Sequence, residues 1–260
     1  MLPIPQAPAG REGKPLSVLA VPAHRGRWRG PRLDRRDSTR GGRTARPFLG
    51  TLAADCGIQP IPASEAESGD SRYILAVDLG TSGCKTALVS LEGRVAGWAF
   101  AQVPLHILPG GGAEQVPADW WTALVSTTRR VMEHSGVSPE AVAAFCCSCQ
   151  GEGTVPVGRD GRALMNAITW ADMRGVARIR AHARGWLNFA GYDARRLVRW
   201  VRITGGAPSL TGNDPAAHML LVRDAFPAVY RATYKFLNVL DYVNLRLTGR
   251  FVATYDSILT

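Results

Sequence analysis

The chain has 260 residues, 46% of them hydrophobic and 20% charged, and a formal net charge of +10. That length allows one large domain or two small ones. No stretch approaches the ~18 consecutive apolar residues of a membrane span, and no apolar segment of signal-peptide type follows the first residues.

Residues 1–72 differ from the rest. They hold 12 of the 31 Lys+Arg and 7 of the 21 Asp+Glu, hence +5, together with 9 of the 17 prolines. Nine arginines lie between His24 and Arg46. Arginines neutralise phosphates, which admits nucleic acid as a partner. An Arg-rich transit peptide is a second reading, opposed by Asp34, Asp37 and the lack of helical periodicity. The third is a disordered leader, because Pro and Gly recur and no apolar period is sustained. Composition favours the leader and disfavours nucleic acid.

Order is predicted from Tyr73. "YILAVDL" reads as an apolar strand, "GTSG" as a turn and "CKTALVS" as a second strand. A turn led by Glu92-Gly93 then leads to a third strand, "RVAGWAFAQV". Such short connections impose antiparallel neighbours, a three-stranded meander. "GGGAEQVPADWWTALVSTTRRVMEHSG" supplies a loop and a helix. Its apolar face is predicted at Trp121, Leu124, Val125, Thr128 and Met132, and Gly136 ends it. Ser138 and Pro139 are placed to open a short helix as N-cap and first residue. "AVAAFCCSC" reads as a buried strand, "TVPVGRDGRAL" as a strand with an Asp-Gly turn, and "AITWADMR" as the end of another strand. Beyond it, "DARRLVRWVRIT", "DPAAHMLLVRDAF", "PAVYRATYKF" and "LDYVNLRLTG" carry apolar residues at helical spacing. Three strands, a helix and a strand in that order make an α/β unit with a mixed sheet.

The five cysteines are Cys56, Cys84, Cys146, Cys147 and Cys149. Cys146-x-x-Cys149 has the form of a zinc or redox half-site. Without a second pair it closes no tetrahedral site, so the cysteines read as small hydrophobes of a strand. The pattern points to a reducing compartment, the cytoplasm.

Chemistry concentrates in "AVDLGTSGCKTALVS", residues 76–90. A tight turn with Gly80, Thr81 and Ser82 presents backbone N–H groups and hydroxyls to an anion. An aspartate beside such a cradle needs a counter-ion, so Asp78 suggests Mg²⁺ holding the phosphates of a nucleotide. The alternative is an ordinary hairpin whose aspartate caps its own turn. No G-x-x-x-x-G-K-[ST] P-loop occurs.

The same stretch resembles the first phosphate hairpin of the FGGY carbohydrate kinases, the family of xylulokinase, glycerol kinase and gluconokinase. "QVPADWWTALVSTTRRVM", "CSCQGEGTVPVGRDGRALMNAITWADMRG" and "YKFLNVLDYVNLRLTGRFVATYDS" resemble later blocks of that family, in the same order. The likeness spans residues 73–260, and xylulokinases are the members most in view. It implies a ribonuclease-H-like domain of the actin-like ATPase superfamily, the N-terminal of two domains flanking a cleft. The activity implied is phosphorylation of a sugar or polyol by ATP with Mg²⁺. The second domain, which binds the adenosine, has no counterpart in this sequence, and a homodimer is an admissible assembly.

The resemblance also assigns residues. Asp78 matches the Mg²⁺-linked aspartate, and Gly80, Thr81 and Ser82 match the phosphate turn, with Lys85 just beyond. Gln150 lies in the substrate loop. Glu152 stands where the family places a sugar-contacting side chain; its alternative is a solvated loop acid. Gly151 stands where glycerol kinases carry arginine. Trp170 is suited to pack against a sugar face or to be a half-buried strand aromatic. Asp172 and Arg174 either line the cleft or pair with each other at the surface. The family's catalytic base aligns with Thr254, which cannot act as a base near neutral pH. Either Asp256, two residues on and facing the same way in an extended segment, replaces it, or the chain is a catalytically weak or inactive relative.

Overall fold

The computed structural model describes residues 72–254. The predicted leader apart from Arg72, and Asp256, lie outside the described residues. Three strands, β1 (Tyr73–Leu79), β2 (Gly83–Ser90) and β3 (Val95–Gln102), form the expected antiparallel meander. A hairpin of β4 (His106–Leu108) and β5 (Gly112–Gln115) leads into helix α1 (Pro117–Ser135). After a short 3-10 turn at Pro139–Ala141, β6 (Val142–Cys149) runs parallel to β1, giving the order β3-β2-β1-β6. The parallel pairing needs a crossover, and α1 provides it.

The strand period of two decides which face α1 covers. Tyr73, Leu75, Val77 and Leu79 alternate into the interior, while Asp78 is exposed on the opposite face. Trp120, Ala123, Leu124, Thr127 and Val131 of α1 are buried; all but Thr127, whose hydroxyl meets that of Thr86 at 2.7 Å, pack in two apolar clusters with these strand residues. The face is rotated from the predicted one. Trp120, not Trp121, points inward, because its indole N–H finds a buried acceptor in Gln115 Oε1 at 3.1 Å. Trp121 is half-buried, with the Arg246 guanidinium 4.7 Å above its ring. Gly136 ends α1 in the left-handed region, as its composition predicts.

The remaining elements follow the sheet in the chain. They are β7 (Val155–Val157), β8 (Ala167–Ile168), α2 (Val176–Ala183), the two-residue strands β9 (Asn188–Phe189) and β10 (Tyr192–Asp193), α3 (Ala194–Thr204), α4 (Pro215–Ala225), α5 (Pro227–Ala232), β11 (Lys235–Leu237) and α6 (Val239–Thr248). Asp193 and Asp214 cap α3 and α4, accepting from Arg196 N and Ala217 N. Val239, Tyr242, Val243 and Leu245 of α6 share the main core with Val155, Val157, Val77 and Leu79, so these later elements and the sheet have one interior.

Several local expectations are corrected. The segment before α1 is a hairpin rather than a loop, and all four β5 residues are buried. "TYKF" ends in β11, which pairs with β7, rather than continuing a helix. Ser138 makes no side-chain cap; its hydroxyl bonds the Glu140 carboxylate instead. β6 is not a buried strand: Ala144, Phe145, Cys146 and Ser148 are exposed, because β6 is the outer strand of the described sheet. No helix among the described residues is long and apolar enough to cross a membrane.

Candidate functional site

Parallel pairing of β1 and β6 brings their carboxyl ends together. Leu79 pairs with Cys149, and the Gln150 amide donates to the Leu79 carbonyl at 2.8 Å. The chain leaves both strands at one edge, where open α/β sheets place their ligands. A cleft of about 760 Å³ opens there, lined by Asp78, Gly80, Thr81, Gln150, Glu152 and Trp170, among others.

One bank is the β1–β2 turn. The Gly80 amide donates to the Gly83 carbonyl at 2.9 Å. Neither glycine has positive φ. Gly83 is required for space: a Cβ there would lie 2.4 Å from the Ala101 carbonyl oxygen and 2.5 Å from the Phe100 ring. Ser82 is exposed at the turn's outer side, and Lys85 is the cross-strand neighbour of Asp78. Neither is among the residues lining the cleft.

The other bank carries Glu152 and Trp170. Glu152 is one of two described non-glycine residues with positive φ, at 53°, a conformation that costs an ordinary side chain. Burial pushes its carboxyl above the usual carboxylate range, and Asp214 adds to the shift. Behind it, Thr154 Oγ1 meets Nδ1 of the fully buried His218 at 2.9 Å. Burial pushes the His218 pKa down to about 4, against the raising influence of Asp172 and Asp214. Trp170 is 47% exposed, and its indole N–H donates across the cleft to Thr81 Oγ1 at 2.9 Å.

Asp172 and Arg174 are not among the cleft-lining residues, nor are they a surface pair. Asp172 is fully buried, accepting from the Ala113 and Arg174 amides at 3.0 and 2.9 Å. The Arg174 Nη2 lies 2.6 Å from both Asp172 Oδ2 and Glu114 Oε1. Burial pulls the guanidinium pKa down, and the two carboxylates more than reverse it. This triad clamps the turn bearing Trp170 onto β5. Cys147 and Cys149 lie on the same side of β6, Sγ to Sγ 3.6 Å, and this contact lowers the Cys147 pKa.

Gln115 went unrecognised in the sequence. It is fully buried, and its Oε1 accepts from Trp120 Nε1 and, at 2.6 Å, from Gln150 Nε2. Its own Nε2 donates to the Thr81 carbonyl at 2.8 Å. A glutamine in a short Gly/Ala-rich segment looks like any loop residue. Its partners come from four other stretches of chain, so no local pattern marks it.

The mixed sheet with its crossover helix, and the cleft at the strand ends, define a ribonuclease-H-like domain of the actin-like ATPase fold. The xylulose kinase of Rhodospirillum rubrum shares that fold, with a TM-score of 0.61 and 23% identity over 72% of this chain and 36% of that one. The chain also matches the FGGY family of carbohydrate kinases, N-terminal domain, over residues 73–258, and it belongs to that family. A glycerol kinase of Afipia carboxidovorans is 38% identical over 186 residues, 71% of this chain and 36% of its own length. A xylulose kinase of Bacillus subtilis is 28% identical over 186 residues, 71% of this chain and 35% of its own. The chain thus spans about a third of the length of these relatives.

Proposed function

We propose that this domain is the sugar-binding half of an enzyme that transfers phosphate from ATP with Mg²⁺ to a sugar or polyol hydroxyl. A xylulose-like ketose is the first candidate, and the cytoplasm the compartment. The observation that carries the reading is the single cleft in which the β1–β2 turn faces Glu152 and Trp170. A phosphate on one bank and a sugar on the other would lie within reach of each other, the positioning that phosphoryl transfer depends on.

The residues then divide as follows. The turn of Gly80, Thr81 and Ser82 holds phosphate, and Lys85 adds positive charge nearby. Gln150 and Glu152 accept or donate hydrogen bonds to sugar hydroxyls, and Trp170 packs against the sugar's face. Asp172 and Arg174 serve the site by positioning Trp170. Among the described residues no group of three or more His, Cys, Asp or Glu could hold a metal ion. Mg²⁺ keeps several waters and is bound through one or two carboxylates plus substrate phosphates. Asp78, exposed at the cleft, is the available carboxylate. When bound, the metal would neutralise phosphate charge. Asp256 is the base that takes the proton of the attacking hydroxyl.

The substrate class rests partly on Gly151. A Cβ at that position would meet nothing within 4 Å, so arginine is absent by sequence and not by crowding. A second reading, a catalytically weak or inactive sugar- and phosphate-binding relative, rests on Thr254 at the family's base position.

The test uses a protein in which this domain is joined to a nucleotide-binding second domain. Phosphoryl transfer is measured over a panel of ketoses and polyols. Asp256→Asn should lower turnover by about 10²–10⁴-fold, with sugar affinity little changed. Full turnover in that variant would overturn Asp256 as base, and no transfer to any acceptor would favour the second reading. The 260-residue chain alone should show negligible turnover beside the ~1–100 s⁻¹ of kinases in general.

A further inference from the structure

The two banks of the cleft are joined by a chain of hydrogen bonds whose direction has a physical cause. Trp120 Nε1 donates to Gln115 Oε1, and so does Gln150 Nε2. Thr81 Oγ1 donates to Gln150 Oε1 at 3.1 Å, and Trp170 Nε1 donates to Thr81 Oγ1. An indole N–H is a donor only, so both ends of the chain are fixed. At the Trp120 end the indole demands an acceptor, which turns the Gln115 amide oxygen towards it. The Gln115 amide nitrogen is then left to the Thr81 and Pro104 carbonyls, at 2.8 and 3.3 Å. Gln150 must donate to the same Gln115 oxygen, so its own oxygen faces Thr81. The Thr81 hydroxyl, having given its proton to Gln150, is left as the acceptor that Trp170 needs.

We infer that Gln115 is a positioning residue that sets the donor–acceptor direction of the whole site. Through Gln150 it makes Thr81 an acceptor and so ties the Trp170 turn to the β1–β2 turn, without touching Trp170 itself. Two consequences follow. The Thr81 side chain meets an incoming phosphate with its proton already committed to Gln150, so it donates to that phosphate only by giving up the Gln150 bond. The orientation of Trp170 becomes coupled to the shape of the phosphate turn. What that coupling serves, presenting sugar and phosphate to each other, rests on the proposed function; the hydrogen-bond chain itself does not.

The test therefore needs no substrate. Indole N–H resonances of the full 260-residue chain are followed by NMR with ¹⁵N-labelled tryptophan, Trp170 being assigned from a Trp170→Phe variant. Gln115→Met keeps the side chain's length and removes both amide groups. Its Trp170 indole proton should exchange with solvent roughly 5- to 10-fold faster than in the parent, the equivalent of one net hydrogen bond. Gln115→Glu supplies a readout that packing alone would not move. Its ionised carboxylate still accepts from Trp120 but sets an oxygen against the Thr81 and Pro104 carbonyls. Protonated, it donates to them as glutamine does. Trp170 protection should be lost at neutral pH and return as the pH is lowered through the titration of that carboxyl.

Should Gln115→Met fail to fold, Gln150→Met interrupts the same chain one step later and should give the same loss at Trp170. Unchanged Trp170 exchange in a folded Gln115→Met or Gln150→Met would overturn the inference, as would a pH-independent Trp170 signal in Gln115→Glu. Loss of sugar phosphorylation in the joined enzyme, with the Trp170 response intact, would overturn the functional reading alone.

Discussion

On one bank of the cleft, the turn at Gly80–Gly83 is held by backbone. The Gly80 amide donates to the Gly83 carbonyl, the turn's glycines have ordinary negative φ, and the strands on either side pair residue by residue from Tyr73–Ser90 to Leu79–Cys84, while the Thr81 carbonyl accepts from the buried Gln115 side chain. On the other bank, Glu152 and Trp170 stand beside side chains that are matched from far along the chain: Thr154 by His218, and Asp172 and Arg174 by β5, through the Ala113 amide and Glu114. The first bank needs space, and the second needs every buried polar group to be matched. A bank whose strands pair residue by residue is sensitive first to added bulk. One built on a buried polar network is sensitive to protons and to single partners.

The largest effect expected from this difference is a pH dependence seated under the second bank. His218 is fully buried, with Nδ1 on Thr154 and Nε2 without a hydrogen-bond partner among the described residues. Asp172, Asp214 and Arg174 are the charged groups that act on it. Its folded pKa of about 4 lies below the ordinary 6.5. Between those values the unfolded chain binds a proton that the folded one refuses, so stability falls as pH is lowered through that window. The contribution is on the order of 3 kcal/mol. Carboxylates titrate at the lower end of the same range, so the quantity to follow is a difference. Relative to His218→Gln, the parent chain should lose about that much unfolding free energy between pH 7 and pH 4 in urea titrations. A difference that stays flat with pH would place the proton sensitivity elsewhere.

On the first bank, the corresponding sensitivity is steric. Gly83→Ala places a methyl group against the Ala101 carbonyl and the Phe100 ring. The ring can turn away, but the carbonyl belongs to β3 and can retreat only by shifting the strand. A destabilisation of about 1–3 kcal/mol is expected, as for overpacking elsewhere, and it should be nearly independent of pH from 4 to 7. A cost that varied steeply with pH would mean that the two banks are not separable in this way.

The same contrast explains what could be read from the sequence. The meander, its turn and the end of α1 at Gly136 were legible because alternation, turn composition and a terminal glycine are local signals. The inward face of α1 was misread by one residue. Trp120 and Trp121 are equivalent to a periodicity argument, and only the acceptor on Gln115 separates them. β5 was invisible because two of its four buried residues are Glu114 and Gln115, whose polarity is offset by Trp120 of the next helix and by Gln150, Asn166 and Arg174 from distant stretches. Of the candidate site, Asp78, Gly80, Thr81, Gln150, Glu152 and Trp170 do line one cleft. Asp172 and Arg174 carry the motif but work beneath it, a distinction of burial that spacing does not encode. β11 was lost to helix because "TYKF" has no period long enough to decide.

The smallest expected effect has the opposite sign and concerns Glu152. Its backbone lies at φ 53°, where an L-residue other than glycine, asparagine or aspartate is strained by about 1 kcal/mol or more. Its carboxyl is also partly desolvated and faces Asp214, which holds its pKa above the ordinary value. For an acid, a raised folded pKa means that the charged form is penalised in the fold. Both terms therefore oppose folding near neutral pH, and the second fades as the pH falls below the ordinary carboxylate value. Asparagine accepts the left-handed conformation and carries no charge. Glu152→Asn should raise stability by about 0.5–1 kcal/mol at pH 7, roughly 1–4 °C in Tm for a domain of this size. The gain should narrow towards pH 4, and sugar binding should weaken because the carboxylate acceptor is gone. Strain is kept at functional positions when the surrounding structure over-determines it. A more stable but weaker-binding variant would show that the second bank is held at Glu152 against its own preference. A less stable variant would mean that the Glu152 carboxylate contributes to the fold, and that the strain reading is wrong.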